Sequence, residues 1–286
     1  MDLKTKHEKL LYPVVRVFAE GTAGTSAGSG TIIYSRGDPK NEGEFFTFVL
    51  TNHHVIDGLI KLKESWDSVL KKNRKQEFMK RAKVEIFDYV RMSNMDASKR
   101  YTAEVIAYSQ PQDLAVLKLD SPREVEFVAP LLPKDKIKDL KLYMEIEVSG
   151  CSMAHEPFSN PGRLTFLNED IENKKYFMIN GASIFGNSGG ALFLADESNM
   201  SEYYGSLIGV PSRISSVQLG FGVDIITWMG FSAHTDRIYE FFEEQHLDFL
   251  FDSEKTYYDA IEAREEAEKK SMLELQAQAL EEMQRK

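Results

Sequence analysis

The chain has 286 residues, 42% of them hydrophobic and 28% charged, which is the balance of a folded globular protein rather than a disordered one. Its formal net charge of -10 at pH 7 argues against nucleic acid as a partner, because a surface that binds nucleic acid needs clustered positive charge. A single cysteine, Cys151, excludes an internal disulfide, and we expect it to be a small buried hydrophobe.

The first segment, residues 1–21, lacks the pattern of a secretory signal. Pro13 and Arg16 interrupt its apolar run, and no small-residue cleavage site follows directly. No stretch reaches the roughly 20 apolar residues that a membrane-spanning helix needs. We therefore expect a cytoplasmic protein that has no membrane partner.

Short apolar and β-branched runs, separated by turn residues, recur along most of the chain. This pattern predicts an all-β fold, a barrel or a sandwich. The glycine-rich segment 21–30 is flanked by such runs, so we expect it to be a hairpin loop beside a site. The predicted strands are 14–18, 31–34, 45–51, 83–87, 103–108, 114–119, 145–150, 191–194, 206–210 and 219–223.

Residues 58–82 interrupt this rhythm. Leu62, Trp66, Val69 and Leu70 fall at i, i+4, i+7 and i+8, which is the spacing of one helix face, while the other face is basic. We predict a helical insertion between two strands. Its charges indicate a solvated face rather than a patch for an acidic partner.

The C-terminal part of the sequence is also predicted to be helical. Residues 235–250 carry apolar side chains at helical spacing, and residues 253–286 contain neither glycine nor proline. A short stripe in this tail predicts an oligomerisation or partner-docking helix, although a largely solvated helix fits equally well. The stripe is formed by Met272, Leu275, Ala279 and Met283.

The motif Gly186-Asn187-Ser188-Gly189-Gly190 suggests a nucleophilic serine and fits two protein folds. As G-x-S-x-G it matches the nucleophile elbow of the α/β-hydrolases, which need a helix after the serine and partners in the order Ser, Asp, His. Here two glycines and an apolar strand follow, and the alternation of strands and helices is missing. The α/β-hydrolase alternative is therefore disfavoured.

The order His, Asp, Ser is the alternative, and candidate His and Asp motifs are present upstream of Ser188. A predicted strand ends in Thr51-Asn52-His53-His54-Val55, and Asp113 opens the apolar run 114–119. Together with G-N-S-G-G, these motifs resemble those of the trypsin-like (chymotrypsin-fold) serine proteases, and are most similar to the HtrA/Deg group. The resemblance covers about residues 12 to 230 and includes 28–33 and 207–225.

The resemblance implies two six-stranded antiparallel β-barrels. We expect the N-terminal barrel in residues 1–125, the C-terminal barrel in 126–234 and a helical tail in 235–286. Proteins of the HtrA group usually carry a PDZ domain after the protease, and residues 235–286 are too few and too charged to form one.

The resemblance also implies a catalytic triad of His54, Asp113 and Ser188. A serine hydroxyl is a weak nucleophile until a base takes its proton, and histidine is the base suited to neutral pH. A buried carboxylate then holds the imidazole in the correct tautomer. The backbone amides of Gly186 and Ser188, with that of Asn187 nearby, are predicted to form an oxyanion hole.

The remaining predictions concern the other histidines, cofactors and the substrate-binding wall. His53 occupies the variable position of its motif and is interpreted as an ordinary, partly exposed histidine, like His234. No metal or other cofactor is predicted. The resemblance places the substrate-binding wall at Ala182, Ser183, Val210, Pro211 and Ser212.

The specificity pocket carries no carboxylate, so we expect cleavage after apolar residues. The predicted function is a serine endopeptidase acting on unfolded or flexible polypeptide. The alternative is a binding or scaffold protein with a protease fold and an inactive or inhibited triad.

Overall fold

The computed structural model describes residues 1–21, 24–67 and 72–284. They divide into two units, one of residues 1–59 and 80–241 and the other of residues 60–79 and 242–286. The first unit starts with a helix that was not predicted, α1 (Leu3–Leu10), whose N-terminus is capped by the side chain of Asp2.

Eight strands follow in the first part of the chain. The chain-order bounds are β1 (Val14–Glu20), β2 (Thr25–Gly37), β3 (Phe45–Thr51), β4 (Ile60–Asp67), β5 (Lys72–Met79), β6 (Ala82–Arg91), β7 (Asn94–Ser109) and β8 (Leu114–Leu119). A short helix, α2 (His53–Ile56), separates β3 from β4.

Six of these strands close an antiparallel barrel in the order β1-β2-β3-β8-β7-β6. Its interior is apolar because alternate residues of each strand point inward. Val17, Phe48 and Leu117 are among the side chains that are fully buried. The predicted strands 14–18, 31–34, 45–51, 83–87, 103–108 and 114–119 all lie in this barrel and are confirmed.

A second antiparallel barrel follows, in the order β10-β11-β14-β13-β12-β9. Two of its strands, β10 and β11, were not predicted, because polar residues interrupt their apolar pattern. The predicted strand 219–223 is wrong in part, since it spans the turn between β13 and β14. The bounds are β9 (Glu145–Gly150), β10 (Phe158–Ile171), β11 (Lys174–Ile179), β12 (Ala191–Leu194), β13 (Leu207–Leu219) and β14 (Gly222–His234).

The predicted helical insertion at 58–82 is wrong. β4 and β5 form an antiparallel hairpin in the second unit, with Ile60 opposite Met79. The reason lies in the spacing, because Leu62 and Trp66 are four residues apart and so fit a period of two as well as a helical period. Both side chains are exposed, and the ammonium group of Lys63 lies over the Phe78 ring. Val69 and Leu70 lie outside the described residues.

The helices predicted at the C-terminus are present. They are α3 (Thr235–Glu244) and α4 (Tyr257–Gln284). In the second unit, α4 is anchored near its start, where Nε of Arg264 donates to the carbonyl of Gln245. Among the residues that the structure describes, no helix combines the length and the apolar character that a membrane crossing requires.

Candidate active site

The barrel topology brings His54 and Asp113 together. His54 lies in α2, directly after β3, and Asp113 immediately precedes β8. Because β3 and β8 are adjacent and antiparallel, with Thr51 opposite Ala115, the two residues lie at the same end of the barrel. Nδ1 of His54 is 3.0 Å from each carboxylate oxygen of Asp113.

The backbone also fixes this pair. The amide of His54 donates to Oδ1 of Asp113 over 3.1 Å, and the side-chain amide of Asn52 donates to the Asp113 carbonyl over 2.7 Å. Asp113 has a φ of 54°, a left-handed conformation that aspartate tolerates better than most residues. The neighbouring His53 is turned to another partner and stacks on the ring of Tyr108, with centroids 5.2 Å apart.

Ser212 completes the surroundings of the carboxylate. Its hydroxyl donates to Oδ2 of Asp113 over 2.6 Å. Burial by itself raises the pKa of Asp113, but the hydrogen bonds and electrostatic attraction of His54 and the bond from Ser212 outweigh it, so the pKa lies below its ordinary value. Asp113 therefore stays ionised at neutral pH, as a group that orients an imidazole must.

Ser188 lies on the loop between β11 and β12, held against the first barrel. Its carbonyl accepts from the amide of Ser29 over 2.9 Å, and the amide of Gly189 donates to the carbonyl of Pro211 over 3.1 Å. Gly189 has a φ of 82°, and a Cβ there would lie 2.2 Å from the hydroxyl oxygen of Thr51. Only glycine allows this approach, which places Ser188 beside the end of β3, from which α2 and His54 follow.

Ser188 is half-buried, and a Cβ on the next residue, Gly189, would lie 3.0 Å from the amide nitrogen of Asn52, two residues before His54. Among the described residues, no hydrogen bond joins the Ser188 hydroxyl to the imidazole of His54. Such bonds are often long in the absence of substrate and tighten in the complex.

Two backbone amides of the loop are available to an oxyanion. Within the described part of the chain, the amides of Gly186 and Ser188 donate to no protein acceptor, whereas that of Asn187 donates to the carbonyl of Ile184 over 3.0 Å. The turn of the loop thus uses the Asn187 amide, and the contribution of each of the three amides to an oxyanion hole stays a prediction. Gly186 has a φ of 98°, a conformation that glycine adopts readily and other residues rarely do.

The segment after β9 stabilises this loop through hydrogen bonds. The amide of Met153 donates to the carbonyl of Phe185 over 2.7 Å, and the hydroxyl of Ser29 donates to the carbonyl of Gly186 over 2.6 Å. Asn187 itself binds Ser152 through its side-chain oxygen. The position before Ser188 therefore has a structural role, which the motif alone did not indicate.

Arg16 extends this support into the first barrel. Its guanidinium donates to the carbonyl of Ala154 and to the buried carboxylate of Glu85, with Nε 2.8 Å from Oε2. Cys151, in the same segment, is buried, and burial raises the pKa of its thiol to about 12. The expectation that Cys151 is an unreactive hydrophobe fits this environment.

The residues predicted as substrate wall fall into two groups. Val210 and Pro211 are buried in the second barrel, and Val210 pairs with Ala233. Their place in the substrate wall stays a prediction. Ser212 is half-buried and bonds to Asp113, which sequence reasoning missed because a lone serine in a strand carries no signal of its partner.

The other two predicted wall residues, Ala182 and Ser183, precede the loop. Ala182 is half-buried, and its carbonyl accepts from the side chain of Asn187 over 3.3 Å. The amide of Ser183 donates to the carbonyl of Thr227 over 2.7 Å. A Cβ at Gly230 would lie 1.8 Å from the Ser183 hydroxyl, so this glycine makes room for Ser183.

No part of the site has the ligand set of a metal centre. Among the described residues, no group of three or more histidine, cysteine, aspartate or glutamate side chains could hold a metal ion.

Comparisons with known proteins agree with this fold. The chain is similar in structure to the HtrA-type protease AlgW solved with a tripeptide, at 17% identity and a TM-score of 0.57, covering 86% of this chain and 64% of that one. A variant of AlgW with a tripeptide matches at 16% identity and a TM-score of 0.58, covering 87% and 64%. The serine endoprotease from Yersinia pestis matches at 18% identity and a TM-score of 0.53, covering 85% and 66%.

The chain thus spans slightly less than two thirds of the length of these structures. No curated protein sequence matches it. A family model, the trypsin-like peptidase domain, matches residues 28–200, a range that contains His54, Asp113 and Ser188. This match covers more than half of the sequence, and the chain belongs to the family of trypsin-like peptidase domains.

Proposed function

We propose that the chain is a serine endopeptidase with Ser188 as nucleophile, His54 as general base and Asp113 as the carboxylate that orients the base. The observation that carries the proposal is the bonded pair of His54 and Asp113, next to a glycine-bounded loop that carries Ser188. Membership of the trypsin-like peptidase family supports the same assignment.

The first half of the reaction forms an acyl-enzyme. Oγ of Ser188 attacks the carbonyl carbon of the scissile bond while Nε2 of His54 takes its proton, and Asp113 stabilises the resulting imidazolium. The amides of Gly186 and Ser188 bind the oxyanion. The carbon–nitrogen bond then breaks, and the leaving amine receives the proton from His54.

The second half releases the product. A water molecule gives a proton to Nε2 of His54 as its oxygen attacks the acyl carbon. The second tetrahedral intermediate collapses, the bond to Oγ of Ser188 breaks, and His54 returns the proton to the serine. The products are a carboxylic acid and the regenerated enzyme.

The substrate we propose is polypeptide in an extended or flexible form, cleaved after an apolar residue. Ala182 and Ser183 occupy the expected base of the specificity pocket, and neither carries a charge that would select lysine or arginine. The main chain of Ser212 and the residues after it supplies donors and acceptors for an extended substrate.

The test is covalent labelling. A fluorophosphonate probe should label the chain once, and mass spectrometry should locate the label on Ser188. Ser188→Ala should abolish labelling and lower peptide turnover by on the order of 10⁶, whereas Ser121→Ala, a change at a half-buried serine outside the site, should leave both unchanged.

A second candidate function is a binding or scaffold protein with this fold. It is favoured by one observation, namely that the Ser188 hydroxyl makes no hydrogen bond to His54 among the described residues. A folded wild-type chain that takes no label and cleaves no peptide would favour this alternative over the peptidase.

A further inference from the structure

The hairpin of β13 and β14 extends well beyond the second barrel as an exposed arm, residues 215–226. All ten residues 216–225 are exposed, and the ring of Phe221 at its tip is entirely in solvent. The two strands stay paired along the arm, from Ser215 opposite Ile226 to Leu219 opposite Gly222.

The arm is unusually apolar for an exposed element of this chain. Asp224 is the single charged residue between Arg213 and Asp236, although 28% of all residues are charged. Contiguous exposed apolar surface in a protein marks a place where another molecule binds. The large apolar side chains exposed on the arm are Val217, Leu219, Phe221, Val223 and Ile225, and Trp228 and Met229 are exposed next to its base.

One edge of the arm is continuous with the candidate active site. β12 pairs with β13 only at Leu207 and Gly209, and among the described strands none pairs with the same edge of β13 beyond this point. The Pro211 carbonyl is used by Gly189, so the open edge starts at Ser212, whose hydroxyl binds Asp113. It runs to Leu219, about 23 Å at roughly 3.3 Å per residue.

The other edge of the arm is not continuous with the candidate active site. It belongs to β14, and towards the barrel it reaches Thr227, whose carbonyl already accepts the amide of Ser183. An extended chain that adds to the sheet can therefore continue from the catalytic serine along β13 but is blocked along β14. The base of the β13 side is held by an ion pair of 2.7 Å between Arg213 and Glu172.

We propose that the arm is an extended substrate-binding strand, to which an apolar, unfolded polypeptide adds as an antiparallel strand along Ser212–Leu219. This inference rests on the proposed function. The residue before the scissile bond lies opposite Ser212, the third residue before it opposite Ile214, and the sixth to eighth opposite Val217 to Leu219. An unpaired edge supplies main-chain hydrogen bonds, and the apolar side chains select substrates that lack charge.

The experiment compares p-nitroanilide peptides with the same apolar residue at the cleaved bond and three, six or eight uncharged, apolar-rich residues before it. For the wild type, kcat/KM should rise about tenfold or more from three to eight residues, because remote binding energy is used in the transition state. Replacing Val217–Asp224 by Asn-Gly joins Ser216 to Ile225, which are already opposite each other, through a two-residue turn.

The shortened variant should cleave the three-residue peptide as the wild type does and lose the gain with length. A milder double variant, Val217→Ser with Leu219→Ser, should lose part of the increase in kcat/KM with peptide length. The matched control is Val90→Ser with Leu142→Ser, two comparably exposed apolar residues outside the arm, which should keep the gain. A wild type without length dependence, or a shortened variant that retains it, overturns the proposal.

Two further measurements separate this inference from others. Fluorescence anisotropy with Ser188→Ala measures binding of labelled three- and eight-residue peptides without cleavage, so preferential binding of the long peptide supports the arm even if the wild type proves inactive. If shortening the arm lowers the sedimentation coefficient at equal concentration while the length dependence persists, the arm joins two copies of the chain and the substrate proposal is wrong.

Discussion

The hydroxyl of Ser212 donates to the carboxylate of Asp113 over 2.6 Å, across 99 positions of sequence. This bond links the second barrel, which carries Ser188, to the carboxylate that holds His54 in the first. Ser212 also starts the open edge of β13, so one residue belongs both to the proposed catalytic machinery and to the proposed substrate strand.

Removing this hydroxyl should impair the proposed catalysis without unfolding the chain. A hydrogen bond to a charged group contributes about 1.5–3 kcal/mol, so we expect Ser212→Ala to lower kcat/KM by about tenfold or more. Ser212→Thr keeps the hydroxyl and should retain most of the activity. Peptide kinetics at neutral pH compare the two variants with the wild type. Equal kcat/KM of the alanine variant and the wild type would show that this hydrogen bond does not contribute to catalysis.

Gly186→Ala should damage the proposed oxyanion hole. A Cβ at this position would lie 2.8 Å from the carbonyl oxygen of Cys151 and the amide nitrogen of Met153, and both are backbone atoms that cannot move aside. The loop must shift, so kcat should fall by about 10²–10³ while KM changes less.

The matched control for this change is Gly43→Ala. Gly43 has a similar left-handed φ of 84°, but nothing lies within 4 Å of the added Cβ. It should lose about 1 kcal/mol of stability through backbone strain alone and keep its activity. If both variants retain full turnover, the amide of Gly186 does not bind the oxyanion.

Arg16 and Glu85 should be strongly coupled in stability. Burial by itself raises the pKa of Glu85, but bonds from Arg16 and Ser98 and the charges of Arg16 and Arg100 hold it below its ordinary value. Arg16→Gln leaves a buried carboxylate without its main partner and should lower the free energy of unfolding by about 3–5 kcal/mol.

A double-mutant cycle measured by urea unfolding tests this coupling. The double variant Arg16→Gln with Glu85→Gln should lose less than the sum of the two single variants, because the second change removes the unpaired charge that the first creates. Additive losses would mean that the two side chains act independently.

His234 should make stability depend on pH. Contrary to expectation, it is buried, its ring lies against that of Phe177 in a tilted arrangement with centroids 4.1 Å apart, and its Nδ1 accepts a hydrogen bond from the amide of Asp236. Burial lowers the pKa of His234 to about 4, although the charge of Asp236 opposes this shift. Between pH 6.5 and 4 the imidazole of His234 is protonated in the unfolded state but not in the folded state. The free energy of unfolding therefore decreases as the pH falls from about 6.5 to about 4.

The expected loss over this range is about 3 kcal/mol, at 1.36 kcal/mol per pKa unit. His234→Asn keeps an acceptor for the Asp236 amide but does not titrate, so its free energy of unfolding should vary less with pH between 6.5 and 4. Urea unfolding of both proteins at several pH values measures the difference. Parallel pH curves would mean that His234 titrates normally when folded.

The tail helix α4 remains a predicted association element. Its start is anchored by Arg264, so removing residues 271–286 leaves that anchor in place. If the stripe of Met272 and Leu275 joins two copies or docks a partner, the truncated chain should sediment more slowly than its loss of mass explains. Leu275→Glu should act like the truncation, and Leu273→Glu, which lies off the stripe, should not; unchanged sedimentation in all variants would contradict the prediction.

The sequence by itself determined the strand-rich class and the order of the His, Asp and Ser motifs, because strands and glycine-bounded turns follow from local periodicity and backbone freedom. It did not separate helix from strand at 58–82, since Leu62 and Trp66 satisfy both periods. The pairing of β4 with β5 resolved that choice through main-chain hydrogen bonds across a hairpin.

The tertiary structure alone decided which groups meet. Contacts between residues far apart in the chain decide the partner of Ser212, the burial of His234 and the open edge along Ser212–Leu219. The path of a loop decides that the Asn187 amide bonds to Ile184. No local pattern encodes such contacts, because each depends on how barrel closure and strand register place segments that are not neighbours in sequence.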